Sequence, residues 1–239
     1  MCATRSSNIF SCASTNDTQR RVTPPGRGVL MKIGIIGSGN VGGTLGARWA
    51  QAGHEVTFGS RDPGSEALKQ LVTRAGGGAR AAKLADAARD SDVLLLATPW
   101  KAAREALEGL GELGGKVLID ATNPLRPRLD GLELGATTSA GEQVAAWAPG
   151  AKVVKAFNTI GFNIMANPAF GGERAVLFYC GDDAGAKQVV KQLAEELGFD
   201  AVDAGPLTQS RLLEPFALLW ISLAFGGLGR EIGFRLLRR

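Results

Sequence analysis

The sequence predicts an α/β fold: a doubly wound, mostly parallel sheet with a small C-terminal α/β extension and a terminal helix. Three observations lead there. Short continuous apolar runs alternate with helical patterns from about residue 31 onward. A glycine-rich turn follows the first apolar run and opens the first helix. Glycine makes up 33 of 239 residues, about twice its usual ~7% share and without a collagen-like period, so the excess belongs in turns and close backbone contacts.

Each element has its own justification. Lys32–Ile36 is a short apolar strand and Val41–Ala52 a helix. Glu55–Phe58 reads as the second strand, Ser65–Ala75 as the second helix, Arg80–Lys83 as a short strand and Leu84–Asp90 as a helix. Val93–Ala97 and Lys116–Asp120 are continuous apolar strands. Such runs separated by helices indicate a parallel sheet covered on both faces. Then come strands at Val153–Phe157 and Ala175–Cys180, a helix over Ala184–Leu197, a strand at Asp200–Asp203 and a last helix beginning near Thr208. There is no internal repeat.

Residues 1–30 stand apart, rich in Ser, Thr and Arg and closed by Pro24-Pro25-Gly26. They lack the apolar stretch of a secretory signal, and no hydrophobic region follows Arg20-Arg21. Three readings stay open: a disordered leader, an organellar transit peptide, or an upstream artefact of a start codon really at Met31; all three place the folded protein from about residue 31.

At 45% hydrophobic and 21% charged, the chain has a soluble globular profile and ample length for a core. The net charge of +4 is unevenly placed. Residues 1–30 carry +3 and residues 211–239 another +3, leaving −2 on residues 31–210. A basic groove on the folded body is not expected, and one tyrosine offers little base stacking, so nucleic acid is discarded as a partner. The three cysteines, Cys2, Cys12 and Cys180, make no disulfide framework, and Cys180 reads as a buried thiol. With His54 the only histidine and no cysteine pair at zinc spacing, no metal site is expected.

Leu212–Gly229 is an 18-residue stretch whose only charge is Glu214, at the lower limit for spanning a bilayer. Glu214 and Pro215 at its start, and Gly226, Gly227 and Gly229 at its end, argue instead for a docked helix. Leu212, Phe216, Leu219, Trp220 and Leu223 share one helical face, which suits docking on the chain's own domain or on a twin subunit. Membrane contact is not expected; a cytoplasmic homodimer is.

Gly37-Ser38-Gly39-Asn40-Val41-Gly42 is a G-x-G-x-x-G placed between strand and helix, the context that gives the motif meaning. The first glycine permits the turn, the second lets backbone approach a pyrophosphate, and the third lets helix and strand pack closely. Gly37, Ser38, Gly39, Asn40 and Val41 are therefore the expected pyrophosphate cradle of a Rossmann unit over residues 31–160. Residues 161–239 form a small C-terminal segment packed on it. NAD-binding units place Asp or Glu at the end of the second strand. Here that strand ends in Ser60-Arg61. A hydroxyl and a guanidinium suit a 2′-phosphate, so NADP(H) is the expected cofactor.

Ligands in open α/β sheets lie outside the carboxyl ends of the strands. Thr98 and Pro99 follow one such strand, Asn123 the next, and Ala156 lies near the end of another. They are candidate cofactor contacts, although Thr98 and Asn123 beside proline also read as ordinary turn residues. No nucleophile or acid–base pair stands out, and no catalytic residue is assigned. His54 links the first helix to the second strand, at the opposite end of the sheet from the glycine loop. Reduction of a carbonyl or imine needs a proton donor near the reacting atom, whereas transfer to a flavin-like ring needs mainly oriented rings. The sequence leans towards the second.

From residue 31 to about 223 the chain resembles the NADP oxidoreductases that depend on the deazaflavin coenzyme F-420, and the cytosolic domain of the STEAP metalloreductases. The shared segments are Phe58-Gly59-Ser60-Arg61, Asp120-Ala121-Thr122-Asn123-Pro124 and Val153 through Gly161. Gly181-Asp182-Asp183, Asp203 through Leu207, and Arg211 with Glu214 continue the match. The resemblance implies NADPH across the glycine loop with its 2′-phosphate on Ser60 and Arg61. It further implies a small-molecule redox acceptor, a deazaflavin or flavin such as coenzyme F-420, FMN or FAD, stacked near Asn123 and the loop after Phe157. Beyond Leu223 the Arg-rich tail matches no pattern. Two other readings remain at this point: a carbonyl or imine reductase of the β-hydroxyacid or pyrroline-carboxylate type, and a non-catalytic NADP(H) redox sensor.

Overall fold

A computed structural model describes residues 29–239, so the readings of residues 1–28 of the leader lie outside the described residues. Among the described residues, ten strands and eight α-helices follow in order. The first half runs β1 (Lys32–Ile36), α1 (Asn40–Ala52), β2 (Glu55–Ser60), α2 (Glu66–Ala75), β3 (Arg80–Lys83), α3 (Leu84–Arg89), β4 (Val93–Leu96), α4 (Trp100–Glu108) and β5 (Val117–Asp120). The second half runs α5 (Ala140–Trp147), β6 (Lys152–Ala156), α6 (Phe162–Ala166), β7 (Ala169–Phe170), β8 (Glu173–Arg174), β9 (Val176–Gly181), α7 (Ala184–Glu196), β10 (Asp200–Asp203) and α8 (Ser210–Leu223).

Eight strands form one sheet in the order β10-β9-β6-β5-β4-β1-β2-β3. The six from β3 to β6 are parallel. β9 then joins β6 antiparallel, and β10 runs parallel to β9. The expected doubly wound, mostly parallel sheet is present, and residues 176–203 extend that sheet. The strand runs are apolar throughout because both faces are covered. Ile33, Ile35, Val93 and Leu95 pack under α1, α2 and α7, whereas Ile36, Leu94 and Leu96 pack under α3, α4 and α5. Trp49 of α1 donates its indole N–H to the Leu193 carbonyl of α7 at 3.2 Å, tying the helices of one layer together.

Three helices, α4, α5 and α6, and the β7–β8 hairpin were not among the expected elements. α4 starts directly after Pro99 and buries only Ala103 and Leu107, and α6 has five residues, too few to show a period.

The terminal helix needs a correction. It docks on its own domain through Leu213, Glu214, Ala217 and Trp220, while Leu212 and Leu219 of the expected docking face point outward, 66% and 48% exposed. Leu207–Leu228 is long and apolar enough to cross a membrane by length and composition alone. However, Glu214 on its inner face is fully buried in ion pairs and hydrogen bonds with the domain. After one π turn at Ala224–Leu228 the Arg-rich tail folds back. The Phe234 carbonyl accepts from Val176 N–H at 2.9 Å, and the Ile232 carbonyl accepts from the Trp220 indole at 2.9 Å.

Candidate functional site

The sheet order places the switch in strand direction of winding between β1 and β4, where dinucleotides lie in folds of this type. Register then aligns the strand ends. Ile36 pairs with Gly59 on one side and Leu96 on the other, Leu96 with Asp120, and Asp120 with Lys155. The loops after β1, β2, β4, β5 and β6 therefore share one edge. On them sit Gly37–Asn40, Ser60–Arg61, Thr98–Pro99, Asn123 and Asn158. His54 is at the other end of β2, 2% exposed, where it accepts from Met31 N–H at 3.1 Å through Nδ1 and meets Glu196 at 2.7 Å through Nε2.

The glycine loop is built for close approach. Gly37 adopts φ +105°, and a Cβ there would lie 2.7 Å from the Ala97 carbonyl of the neighbouring loop. Gly39 is the N-cap of α1 and supplies no side-chain cap; no acidic residue occupies the first turn. The first N–H groups of a 13-residue helix are thus left without a side-chain acceptor, an arrangement suited to an anion. A Cβ on Gly39 would meet nothing within 4 Å, so the space above it is open.

Beside this loop lies a cavity of about 250 Å³ lined by Gly37, Ser38, Ser60, Arg61, Thr98 and Glu105, among others. Arg61 is exposed, and Ser60 Oγ accepts from Asp62 N–H at 3.1 Å. Thr98 lines the cavity with its Oγ1 buried and without a hydrogen-bond partner among the described residues. Asn158 Oδ1 and Thr159 Oγ1, after β6, are in the same condition. Pro99 is exposed as the N-cap of α4, and Ala156 is fully buried within β6, so any contact it makes to the edge runs through its backbone.

The β6 end is shaped by strain. Phe157 holds φ +64°, a left-handed conformation that costs a non-glycine residue about 1–3 kcal/mol. Its ring is fixed edge-on between Trp49 at 5.7 Å and Phe199 at 6.2 Å. The chain then turns so that Asn158 and Asn123 meet: Asn123 Nδ2 donates to the Asn158 carbonyl at 2.9 Å, and Asn158 Nδ2 donates to Asn123 Oδ1 at 3.2 Å.

Below these loops is a cluster that the sequence reading did not single out. Lys155 is wholly buried and donates to Asp120 Oδ2 at 2.8 Å, Glu214 Oε1 at 2.9 Å and the Thr122 carbonyl at 2.7 Å. Burial alone would pull its pKa down, but the Asp120 and Glu214 carboxylates outweigh that and hold it above the ordinary lysine value. A lysine interrupting the apolar run Val153–Phe157 was the available signal.

Comparison with known proteins agrees with this geometry. Residues 32–124 match the family described as "NADP oxidoreductase coenzyme F420-dependent". The chain is 31% identical over 220 residues to the F420-dependent NADP reductase of Methanothermobacter marburgensis, covering 86% of this chain and 98% of that protein. A putative F420 dependent NADP-reductase from Arthrobacter sp. FB24 superposes with a TM-score of 0.79 at 34% identity, covering 87% of this chain and 100% of the other. The rat metalloreductase STEAP3 is 30% identical over 193 residues, 78% of this chain, but the match spans only 36% of that longer protein. The chain belongs to the coenzyme F420-dependent NADP oxidoreductase family, a family of NADP-dependent oxidoreductases.

Proposed function

We propose that this protein moves a hydride between NADP(H) and a flavin-like or deazaflavin ring. The residues fit the cofactor. The uncapped α1 N terminus and the open space above Gly39 suit a pyrophosphate, held by backbone from Gly37 to Val41. Ser60 and Arg61 at the end of β2 would take the 2′-phosphate, a hydroxyl and a guanidinium standing at the strand end where a ribose-binding carboxylate would repel it. Thr98, Asn123, Asn158 and Thr159 would face the nicotinamide end, where three of their buried oxygens lack partners. When bound, NADPH supplies the hydride; the protein's task is to orient two rings and keep water from between them.

The observation that favours a ring acceptor over a carbonyl or imine is the state of the ionisable groups beneath this edge. Lys155, Asp120 and Glu214 are buried and bonded to one another and to backbone, leaving no proton to deliver to a substrate. The relatives named as F420-dependent NADP reductases support the deazaflavin coenzyme as the acceptor.

The test is optical. The purified chain is mixed with NADPH and with coenzyme F-420, FMN, FAD or no acceptor, with NADH in parallel. Saturable turnover on one ring, much slower with NADH, is expected. Tight NADPH binding without turnover on any ring would refute the assignment and favour a carbonyl or imine substrate, or a sensor.

We further propose a homodimer through the outer face of α8 and the π turn after it, where Leu212 and Leu219, then Phe225 and Leu228, are about half to two-thirds exposed. A monomeric mass in light scattering would refute it.

A further inference from the structure

The C-terminal helix reaches the crevice through two adjacent residues. The Leu213 carbonyl accepts from Asn158 Nδ2 at 3.1 Å, and Asn158 in turn holds Asn123. Glu214, next in the chain, meets Lys155 at 2.9 Å. Through Lys155 it is joined to Asp120 and the Thr122 carbonyl. Asp120 Oδ1 accepts from both Thr122 N–H at 2.9 Å and Thr122 Oγ1–H at 2.7 Å. Glu214 also closes the start of α5, accepting from Ala140 N–H and Gly141 N–H, each at 3.0 Å.

Every ammonium proton of Lys155 has an acceptor, and every carboxylate oxygen of Asp120 and Glu214 has a donor. A satisfied cluster of this kind fixes positions and has nothing left over for chemistry. Two carboxylates against one ammonium leave a net negative charge, which the N–H groups of α5 face. Replacing such a cluster by apolar residues is often neutral for stability, so its presence calls for a role in fixing geometry. The geometry it fixes is that of Thr122, next to Asn123, while the neighbouring Leu213 carbonyl holds Asn158; together these are one half of the edge. Ser60 and Arg61, on the other side of β1, are not connected to it by any of these bonds.

We propose that Glu214, with Lys155, is a positioning residue: α8 sets the nicotinamide half of the crevice and leaves the adenosine half alone. The inference rests on the crevice being an NADP(H) site. It separates two ligands. NADPH spans both halves, whereas adenosine 2′,5′-bisphosphate occupies only the half with Ser60 and Arg61.

Calorimetric titration of the full chain with each ligand tests it. For Glu214→Gln, and for the double variant Lys155→Met/Glu214→Gln, NADPH should weaken by about tenfold or more while the bisphosphate stays within about twofold of wild type. The double variant keeps the buried charge at one negative. If neither folds, judged by near-UV circular dichroism, Glu214→Asp, which keeps the charge but shortens the reach to Lys155 and the start of α5, should show the same selective loss. Equal weakening of both ligands, or unchanged NADPH binding, overturns the proposal. Failure of the wild type to bind either ligand overturns the NADP(H) reading itself, and is seen before any variant is made.

Discussion

A Cβ added to Gly42 would stand 1.9 Å from the Gly37 carbonyl oxygen, so the first and third glycines of the turn are in direct contact. The middle glycine differs: Gly39 has φ −71°, an ordinary value, and open space where its Cβ would be. The two positions should therefore fail differently. Gly42→Ala should destabilise the fold by roughly 1–3 kcal/mol through overpacking, lowering Tm by about 2–4 °C for each kcal/mol. Gly39→Ala should leave Tm unchanged and still weaken NADPH binding, because the methyl occupies the space assigned to the pyrophosphate. Thermal unfolding and a binding titration on both variants check this. A large drop in Tm for Gly39→Ala would count against the cradle.

Under the proposed reading, Arg61 is the residue that would choose NADP(H) over NAD(H). It is exposed at the mouth of the cavity beside Ser60, and truncating it removes no core packing. Arg61→Ala should weaken NADPH by about 1.5–3 kcal/mol, the range for hydrogen bonds to a charged group, and leave NADH within about twofold. An equal loss for both nucleotides would mean that Arg61 contacts something other than the 2′-phosphate.

The places of the glycine turn and of the Ser60-Arg61 strand end were legible because strand, turn and helix are contiguous in sequence and each strand is a short apolar run. The antiparallel turn of β9 against β6 was not legible. It depends on α6 and the β7–β8 hairpin, elements of five and two residues whose patterns are too short to read. The Asp120–Lys155–Glu214 cluster joins residues 35 and 59 positions apart, and only the folded sheet brings them together. The face of α8 was misplaced for a related reason. Its apolar residues circle the helix, so hydrophobicity alone did not show that Leu213 and Glu214, rather than Leu212 and Leu219, turn inward.

Cys180 should be inert in the folded state. It is fully buried in β9, with its sulfur 3.4 Å from Ser210 Oγ, and burial pushes its thiol pKa up to about 11. The reactive thiolate is scarce at pH 8, so alkylation by iodoacetamide should be slowed roughly 100-fold or more against a free thiol, before access is considered. Peptide-resolved mass spectrometry should find Cys180 unlabelled in the native chain and labelled in denaturant. Rapid native labelling would mean that α8 and β9 separate readily.

Lys155 predicts how stability ends at high pH. Its pKa in the folded chain is raised, so the folded state binds this proton more tightly than the unfolded chain, whose lysines titrate near ~10.4. Stability then falls wherever the folded state holds more protons than the unfolded one. The contribution is whole below the unfolded value and is lost as pH climbs from there through the raised folded value. Tyr179 and Cys180, both raised mainly by burial, act in the same direction, so the wild-type profile alone does not isolate the lysine. The difference between wild type and Lys155→Met/Glu214→Gln does. Tm of the wild type should begin to fall near pH 9, where the unfolded thiol loses its proton and the folded one does not, and fall more steeply above about pH 10. The double variant, with the ammonium gone, should show a shallower drop over the same interval. Parallel curves would place the alkaline weakness elsewhere and mean that the ammonium of Lys155 is not held by its two carboxylates.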